Sequence, residues 1–455
     1  MIFGQISKRK FFLFLGDLFI IIFSLYMAFS IRWLSLVSFY FLSERAVFFV
    51  FLLCAYPLSF YIFDLYNPQR KYKTIRSFSL LLAALTLVAG FAAIFFYVFP
   101  FTIGRGVFFI NLVIIGILVF IWRLIYSLFF RLAVVSKQVL IIGTGKPAQE
   151  LYSLLESNRD YNVIGFFGSP PKEKEFLGLN YFKKDMSIEK IISDYKIDLI
   201  ISTTKLKRNK KLNKVLVKCK MEGINVSSFP TFYEELMRKL PISYISESWF
   251  LNSSGFGKLG NIIYNRLKRV IDLSIALILL ILFFPLGLVI ALVIKLSSKG
   301  PILYMQERLG ENKESFIVIK FRTMVTDAEK EGPKWADDND PRITKVGKIL
   351  RRTRLDEIPQ LINVIKGKMS LVGPRPEREY FVKGLEKKIP FYSLRFYLKP
   401  GLTGWAQINY KYGSSLEDAE EKLQYELYYI KNMSLFLDTR IILKTIKTSL
   451  FGIGH

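Results

Sequence analysis

RRTRLDEIPQLINVIKGKMSLVGPRPE, residues 351–377, sets two adjacent carboxylates, Asp356 and Glu357, among Arg and Lys residues and closes on a Gly-Pro-Arg-Pro turn. Leu355, Ile358, Leu361, Ile362 and Ile365 recur at the spacing of one helix face, so the stretch predicts a helix. Thr353 stands three before Asp356 as a loose capping pair. Asp356 and Glu357 then fall in the first turn, where free backbone N–H groups and the dipole favour anions. With Arg351, Arg352 and Arg354 beside them, both carboxylates are expected to be ionised. An Asp-Glu pair at a helix start is commonly no more than a cap. Here Lys320, Arg322, Arg342, Arg351, Arg352 and Arg375 supply more cations than a cap requires. Pro374 and Pro376 fix the backbone on either side of Arg375, whose planar fork suits phosphate. An ionised Asp is a usable nucleophile toward phosphorus. A neighbouring Glu can hold Mg²⁺ against a substrate diphosphate. Upstream, QERLGENKESFIVIKFRTM (306–324) alternates Phe316, Val318 and Lys320 as a strand does. The region from 300 onward therefore reads as an α/β unit built around a phosphate site.

The whole chain sets the context of that site. It has 455 residues, enough for two or three domains. Hydrophobic residues make up 52%, and a mean hydropathy of +0.31 is too high without membrane segments. The net charge of +27 suits an anionic membrane surface, a phosphate-rich substrate or nucleic acid. Nucleic acid is not expected, because no zinc spacing, aromatic RNA-binding box or basic heptad helix is present. Cys54 and Cys219 lie far apart, so neither a disulfide framework nor a Cys-based metal site is indicated. The single His is His455. Chemistry here must run on carboxylates, hydroxyls, Lys, Arg or a bound ion.

Four apolar stretches, near 11–31, 46–66, 77–100 and 107–130, each reach the roughly 20 residues that cross a bilayer as a helix. The first is too long for a signal-peptide core and lacks a small-x-small cleavage site, so it reads as a retained anchor. Lys8, Arg9 and Lys10, then Arg70, Lys71, Lys73 and Arg76, then Arg131 and Lys137 mark the cytoplasmic loops. Asp17 and Arg123 lie inside spans at similar depth. They read as a structural ion pair or snorkelling side chains, or else as a lipid or proton site.

From about 138 to 230 strands and helices alternate, which implies a parallel, doubly wound sheet. Gly143, Gly145 and Ala148 fit the dinucleotide turn. The acidic residue expected about 20 positions later is missing, so structure, assembly or ligand sensing is the better expectation than NAD binding. Residues 270–296, VIDLSIALILLILFFPLGLVIALVIKL, look like a fifth crossing. Pro285 sits in its middle, where it removes a helix hydrogen bond. Basic residues flank both ends, Arg266, Lys268 and Arg269 before and Lys295 and Lys299 after. A helix broken at Pro285 that enters and leaves by one leaflet keeps both clusters inside. An ordinary Pro-kinked span is the alternative.

KFRTM, DPRITKVGKILRRTRLDEIPQLINVIKGKMSLVGPRPE and KPGLTGWAQI resemble the signature of the bacterial sugar transferases, the monotopic phosphoglycosyl transferases. With four spans and a nucleotide-fold middle domain, the architecture is similar to the large undecaprenyl-phosphate glucose or galactose phosphotransferases. The resemblance implies a four-helix transmembrane domain over 1–131 and a Rossmann-like domain over 132–250. A catalytic domain follows over 265–455, with a Pro-broken re-entrant helix at 268–296. It implies transfer of a phosphosugar from a cytoplasmic UDP-sugar to undecaprenyl phosphate with release of UMP. The step is ping-pong and initiates exopolysaccharide, capsule or O-antigen synthesis. Asp356 is the implied nucleophile, Asp356 and Glu357 the Mg²⁺ site, and Lys320, Arg322 and Arg375 phosphate contacts. The implied location is the bacterial inner membrane, with the catalytic domain on its cytoplasmic face and a homodimer left open. Arg354 stands where the family often has Ser or Thr. Two other classes compete: a non-catalytic membrane scaffold or sensor of polysaccharide assembly, and a tethered NAD-dependent sugar-modifying enzyme. The intact Asp356, Glu357 and Arg375 speak against the first, and the missing acid against the second.

Overall fold

The structure is a computed structural model that describes residues 8–34, 46–66, 75–98, 105–132, 136–168, 180–183, 186–204, 210–326, 340–410 and 415–451, with 328, 332 and 413 besides. The basic loop carrying Arg70, Lys71 and Lys73, the segment after Gly168 and His455 lie outside these residues. Two compact units result, residues 1–135 and 136–455.

The first unit holds α1 (Lys8–Trp33), α2 (Ala46–Ile62), α3 (Ile75–Val98) and α4 (Arg105–Leu132). Ile21, Leu25 and Phe29 of α1 pack with Phe48, Leu52 and Tyr56 of α2, Leu85 and Val88 of α3, and Ile115 and Val119 of α4. Phe19, Ile94, Phe109 and Phe129 point outward, as lipid-facing residues do. Helices over Lys10–Trp33, Ser77–Tyr97 and Arg105–Phe129 are long and apolar enough to cross a membrane. The second span is shorter than expected: α2 has 17 residues, about 26 Å of helix, and Phe63–Tyr66 form a turn. Asp17 and Arg123 do meet. Arg123 Nη1 and Nη2 donate to Asp17 Oδ1 and Oδ2 at 2.9 and 2.6 Å, with both side chains buried. Trp122 closes over Gly16, where any Cβ would overlap the indole. A bidentate pair packed this tightly fits the structural reading.

The second unit opens with five parallel strands, β1 (Lys137–Ile142), β2 (Tyr161–Phe167), β3 (Asn180–Phe182), β4 (Leu199–Ser202) and β5 (Asn225–Ser228), in the order β3-β2-β1-β4-β5. Val139 and Ile141 pack with Leu151 and Leu155 of α5 (Lys146–Glu156) on one face. Leu140 and Ile142 pack with Ile191 of α6 (Ile188–Tyr195) and Leu216 of α7 (Lys210–Met221) on the other. This is the doubly wound arrangement that the alternation predicted. Gly143 has φ +109°, and a Cβ there would overlap Thr203 after β4. The glycine turn therefore brings the β1–α5 connection close to its neighbouring strand.

After this sheet the chain runs directly into the next core. α8 (Phe229–Met237) still packs on the sheet, but Leu240 and Ile242 are fully buried in the core of the following domain. Trp249 and Phe250 lie against that core as well. Within the run PISYISESWFL, Ile242, Ile245, Trp249 and Phe250 pack with that core, while Leu251 stays exposed. Further ties are Lys431 to Glu234 of α8 and Lys239 to Glu421. The middle and C-terminal parts thus form one compact unit.

The C-terminal part begins with α9, one helix of 36 residues from Ile262 to Ser297. The helix continues across Pro285, so the expected break is not a gap in the helix. Then come the antiparallel β6 (Leu303–Leu309) and β7 (Ser315–Phe321), α10 (Lys345–Thr353), α11 (Leu361–Ile365), and the parallel pair β8 (Ser370–Val372) and β9 (Gly401–Thr403). α12 (Leu416–Asn432) and α13 (Leu435–Phe451) complete the core. Leu437 and Ile441 of α13 are fully buried in that core.

Candidate active site

β7 and the turn after α10 build the site. Asn363 Nδ2 donates to Ile317 O at 2.6 Å, and Asn363 Oδ1 accepts from Ile319 N at 3.2 Å. One buried side-chain amide thus behaves as a neighbouring strand would and docks residues 355–365 on β7. Asp356 and Glu357 do not sit in the first turn of an α-helix capped by Thr353. α10 ends at Thr353, whose hydroxyl bonds back to Ile349 O and Leu350 O. Arg354 then takes a left-handed conformation (φ 57°), and Leu355–Gln360 form a 3-10 turn. Pro359 lies inside this turn and has no N–H to donate to Leu355, so a regular α-helix cannot run through it intact.

Asp356 is buried at 7% exposure. Glu357 Oε1 accepts from Lys320 Nζ at 3.3 Å and from Arg375 Nη2 at 3.1 Å. The two carboxylates are not held equally firmly. Burial, then the neighbouring Glu357 charge, push Asp356 up to about 6. Burial would raise Glu357 too, but Arg375, Lys320 and Arg354 outweigh it and hold that carboxyl at about 2. Glu357 is therefore the fixed anion of the pair, and Asp356 is the more basic one.

The two prolines are not all that holds Arg375. Its backbone N–H donates to Glu426 Oε1 at 3.3 Å, and its carbonyl accepts from Arg395 Nη2 at 2.8 Å. Arg395 and Glu426 bond each other at 2.8 Å, both 5% exposed. A buried ion pair thus grips the peptide unit on each side of Arg375. The sequence reading missed this pair. The signal was Glu426 itself, an acid on the apolar stripe of Leu423, Leu427 and Ile430.

The other cations diverge. Arg322 turns away and donates to Ser298 O, Ser298 Oγ and Lys299 O at 2.9, 2.7 and 2.8 Å, closing the end of α9. Arg342 is engaged with Asp340 and Ala328 O. Arg351 Nε donates to Thr323 Oγ1 at 3.0 Å, and its charge still acts on Asp356. Arg352 is exposed on α10. Of the expected phosphate contacts, Lys320 and Arg375 converge on the carboxylates, and Arg354 adds its charge from the position where a hydroxyl was expected. Beside them opens a cleft lined by Lys320, Arg375, Gln360, Arg308, Gln306 and Tyr304.

Among the described residues, no group of three or more His, Cys, Asp or Glu side chains could cage a metal. The donor set is Asp356 with Glu357. That fits a Mg²⁺ ion, which takes one or two carboxylates and completes its shell with water and substrate phosphate. It does not fit a structural metal.

A sequence model described as bacterial sugar transferase matches residues 263–452, and one described as CoA-binding domain matches 61–230. The chain is 41% identical over 239 residues, 52% of its length and 55% of the relative's, to the UDP-N-acetylgalactosamine-undecaprenyl-phosphate N-acetylgalactosaminephosphotransferase of Aeromonas hydrophila. It is 32% identical over 317 residues, 68% of its length and 66% of the relative's, to the UDP-glucose:undecaprenyl-phosphate glucose-1-phosphate transferase of Xanthomonas campestris pv. campestris. It is 42% identical over 190 residues, 40% of its length and 95% of the relative's, to the exopolysaccharide production protein PSS of Rhizobium leguminosarum bv. phaseoli. The chain belongs to the bacterial sugar transferase family. Its matches span about half to two thirds of the first two relatives.

Proposed function

We propose that the protein transfers a hexose 1-phosphate from a UDP-sugar to undecaprenyl phosphate, with release of UMP, and so initiates exopolysaccharide, capsule or O-antigen synthesis. The observation that carries this reading is the pairing of a buried, basic Asp356 with a Glu357 held by Lys320 and Arg375. An Asp356 carboxylate oxygen attacks the sugar-bearing phosphorus. The bond from that phosphorus to the bridging oxygen breaks, and UMP leaves with the electron pair. A phosphate oxygen of the lipid then attacks the same phosphorus. The Asp356–phosphorus bond breaks and the carboxylate is restored, with no net proton transferred. Lys320 and Arg375 balance phosphate charge through both steps. Asp356 and Glu357 would hold Mg²⁺, which supplies further neutralisation of the diphosphate when bound. Glucose or galactose is the sugar that the architecture favours, and N-acetylgalactosamine, named for the Aeromonas relative, is the alternative.

The membrane part of the reading rests on α9. Near its start, Lys268 pairs with Asp438 at 2.8 Å, and Arg269 bonds the carbonyls of Val364 and Ile365. At its end, Ser298 is held by Arg322. Between them Ile278, Ile281, Leu282, Phe284 and Leu288 are uncovered. A helix crossing a hydrocarbon core of about 30 Å would part its ends into two compartments. Here both ends are tied to one soluble body. This supports a helix that dips into and leaves the cytoplasmic leaflet of the inner membrane near Pro285, setting Asp356 at headgroup level.

The test is UMP release from UDP-glucose, UDP-galactose and UDP-N-acetylgalactosamine by detergent-solubilised protein with Mg²⁺ and undecaprenyl phosphate. Release that is lost in Asp356→Asn and Glu357→Gln is expected. No release with any of the three sugars would leave the scaffold reading in its place.

A further inference from the structure

Gln360 ends the same 3-10 turn that carries Asp356 and Glu357. It is 3% exposed, and its Nε2 has no hydrogen-bond partner among the described residues. A buried amide N–H without an acceptor is destabilising, so such a group calls for an explanation. It also lines the cleft that Lys320 and Arg375 line, the two cations that touch Glu357. The cleft is thus cationic on two sides and carries one neutral donor without an acceptor. A ligand that satisfies all three groups at once is an oxyanion with several acceptor oxygens. Lysine and arginine neutralise its charge, and an amide N–H contributes direction without charge.

We propose that Gln360 is a catalytic residue of the transfer described above, whose Nε2 donates a hydrogen bond to a non-bridging oxygen of the phosphoryl group under attack. The inference rests on that transfer. No proton moves from the amide. It stabilises the oxygen while the Asp356–phosphorus bond forms and the bond to the UMP oxygen breaks, and again in the reverse sense when the lipid phosphate attacks. Asn363, three residues on, makes the contrast. Its amide is equally buried, but both its atoms are engaged on β7. The turn therefore leaves one amide engaged by the fold and one, on a residue that lines the cleft, with its buried Nε2 lacking an acceptor among the described residues.

The test is single-turnover labelling of full-length Gln360→Met and Gln360→Glu with UDP-glucose and UDP-N-acetylgalactosamine. It is read as the mass gain on the Asp356 peptide against time and donor concentration, with thermal melting alongside. Methionine keeps the volume and removes the polar atoms. Gln360→Met is expected to melt no lower than wild type and to label about 10²-fold more slowly at saturating donor. Half-saturation should move much less than the maximal rate. Gln360→Glu, which sets an anion against the phosphoryl oxygens, is expected to label more slowly still. Labelling of either variant at the wild-type rate overturns the inference. So does a change confined to half-saturation, or a fall in melting temperature in both variants, which would make the amide structural. Absence of label in wild type overturns the proposed transfer and the inference with it.

Discussion

Replacing Arg395 by Met tests how the site is held. Arg395 and Glu426 are both 5% exposed and bond at 2.8 Å, and together they grip the backbone N–H and C=O of Arg375. Removing the guanidinium leaves a carboxyl with no cation in an apolar setting. Breaking a buried pair in this way costs about 3–5 kcal/mol. Burial already holds Glu426 above the usual carboxylate range, with Arg395 pulling it back. Once Arg395 is gone, Glu426 takes up a proton, which places the cost toward the lower end. For a compact unit of this size, residues 136–455, the melting temperature should fall by roughly 4–7 °C. The double variant Arg395→Met with Glu426→Leu removes both charges and should recover most of that fall. Activity should not recover with it, because the Arg375 peptide then lacks both its clamps. The assay pairs melting in detergent with UMP release for the two single variants and the double. A wild-type melting temperature in Arg395→Met would refute the buried-pair energetics. Full activity in a stable double variant would refute the claim that the pair positions Arg375.

Asn363→Ala leaves the Ile317 carbonyl and Ile319 N–H without their side-chain partner, a loss of about 1–3 kcal/mol. The turn should loosen from β7, so UMP release should fall by more than melting alone accounts for, checked well below the melting temperature. Asp17→Asn leaves Arg123 buried against a neutral partner and should lower the yield of folded protein extracted from membranes. The rate per folded molecule should stay at the wild-type level; a lost rate would restore the lipid or proton-site reading of the pair. Chelation of divalent ions should abolish UMP release without lowering the melting temperature, and added Mg²⁺ should restore it, since the two carboxylates form no structural cage.

The residues that announced themselves in the sequence were those whose types conflicted with a bland role. Two carboxylates among cations, and an Arg between prolines, drew attention to Asp356, Glu357 and Arg375, and the fold brings these together with Lys320. The doubly wound sheet was legible for a similar reason, since buried parallel strands read as apolar runs separated by helices. The contacts of Arg322 were not legible, because its partners, Ser298 and Lys299, lie at the end of a helix that must first fold back against β7. No local pattern encodes that contact. Pro359 argued against an unbroken α-helix here, but the apolar spacing around it suits an α-helix and hid the 3-10 turn. Glu426 also carried a signal, an acid on an apolar stripe, though its partner Arg395 is 31 residues away in sequence and joins it only through folding. The unequal carboxylates needed three dimensions as well: charge counting gives the cations, but only the fold puts Lys320 and Arg375 on Glu357 and leaves Asp356 the more basic member.

The most direct measurement is the mass of the peptide containing Asp356 after incubation with Mg²⁺ and a UDP-sugar in the absence of lipid acceptor. The account predicts a phosphohexose adduct on Asp356, absent in Asp356→Asn and discharged when undecaprenyl phosphate is added. UMP release that proceeds with lipid while no adduct forms at Asp356 under any of the donors would contradict it.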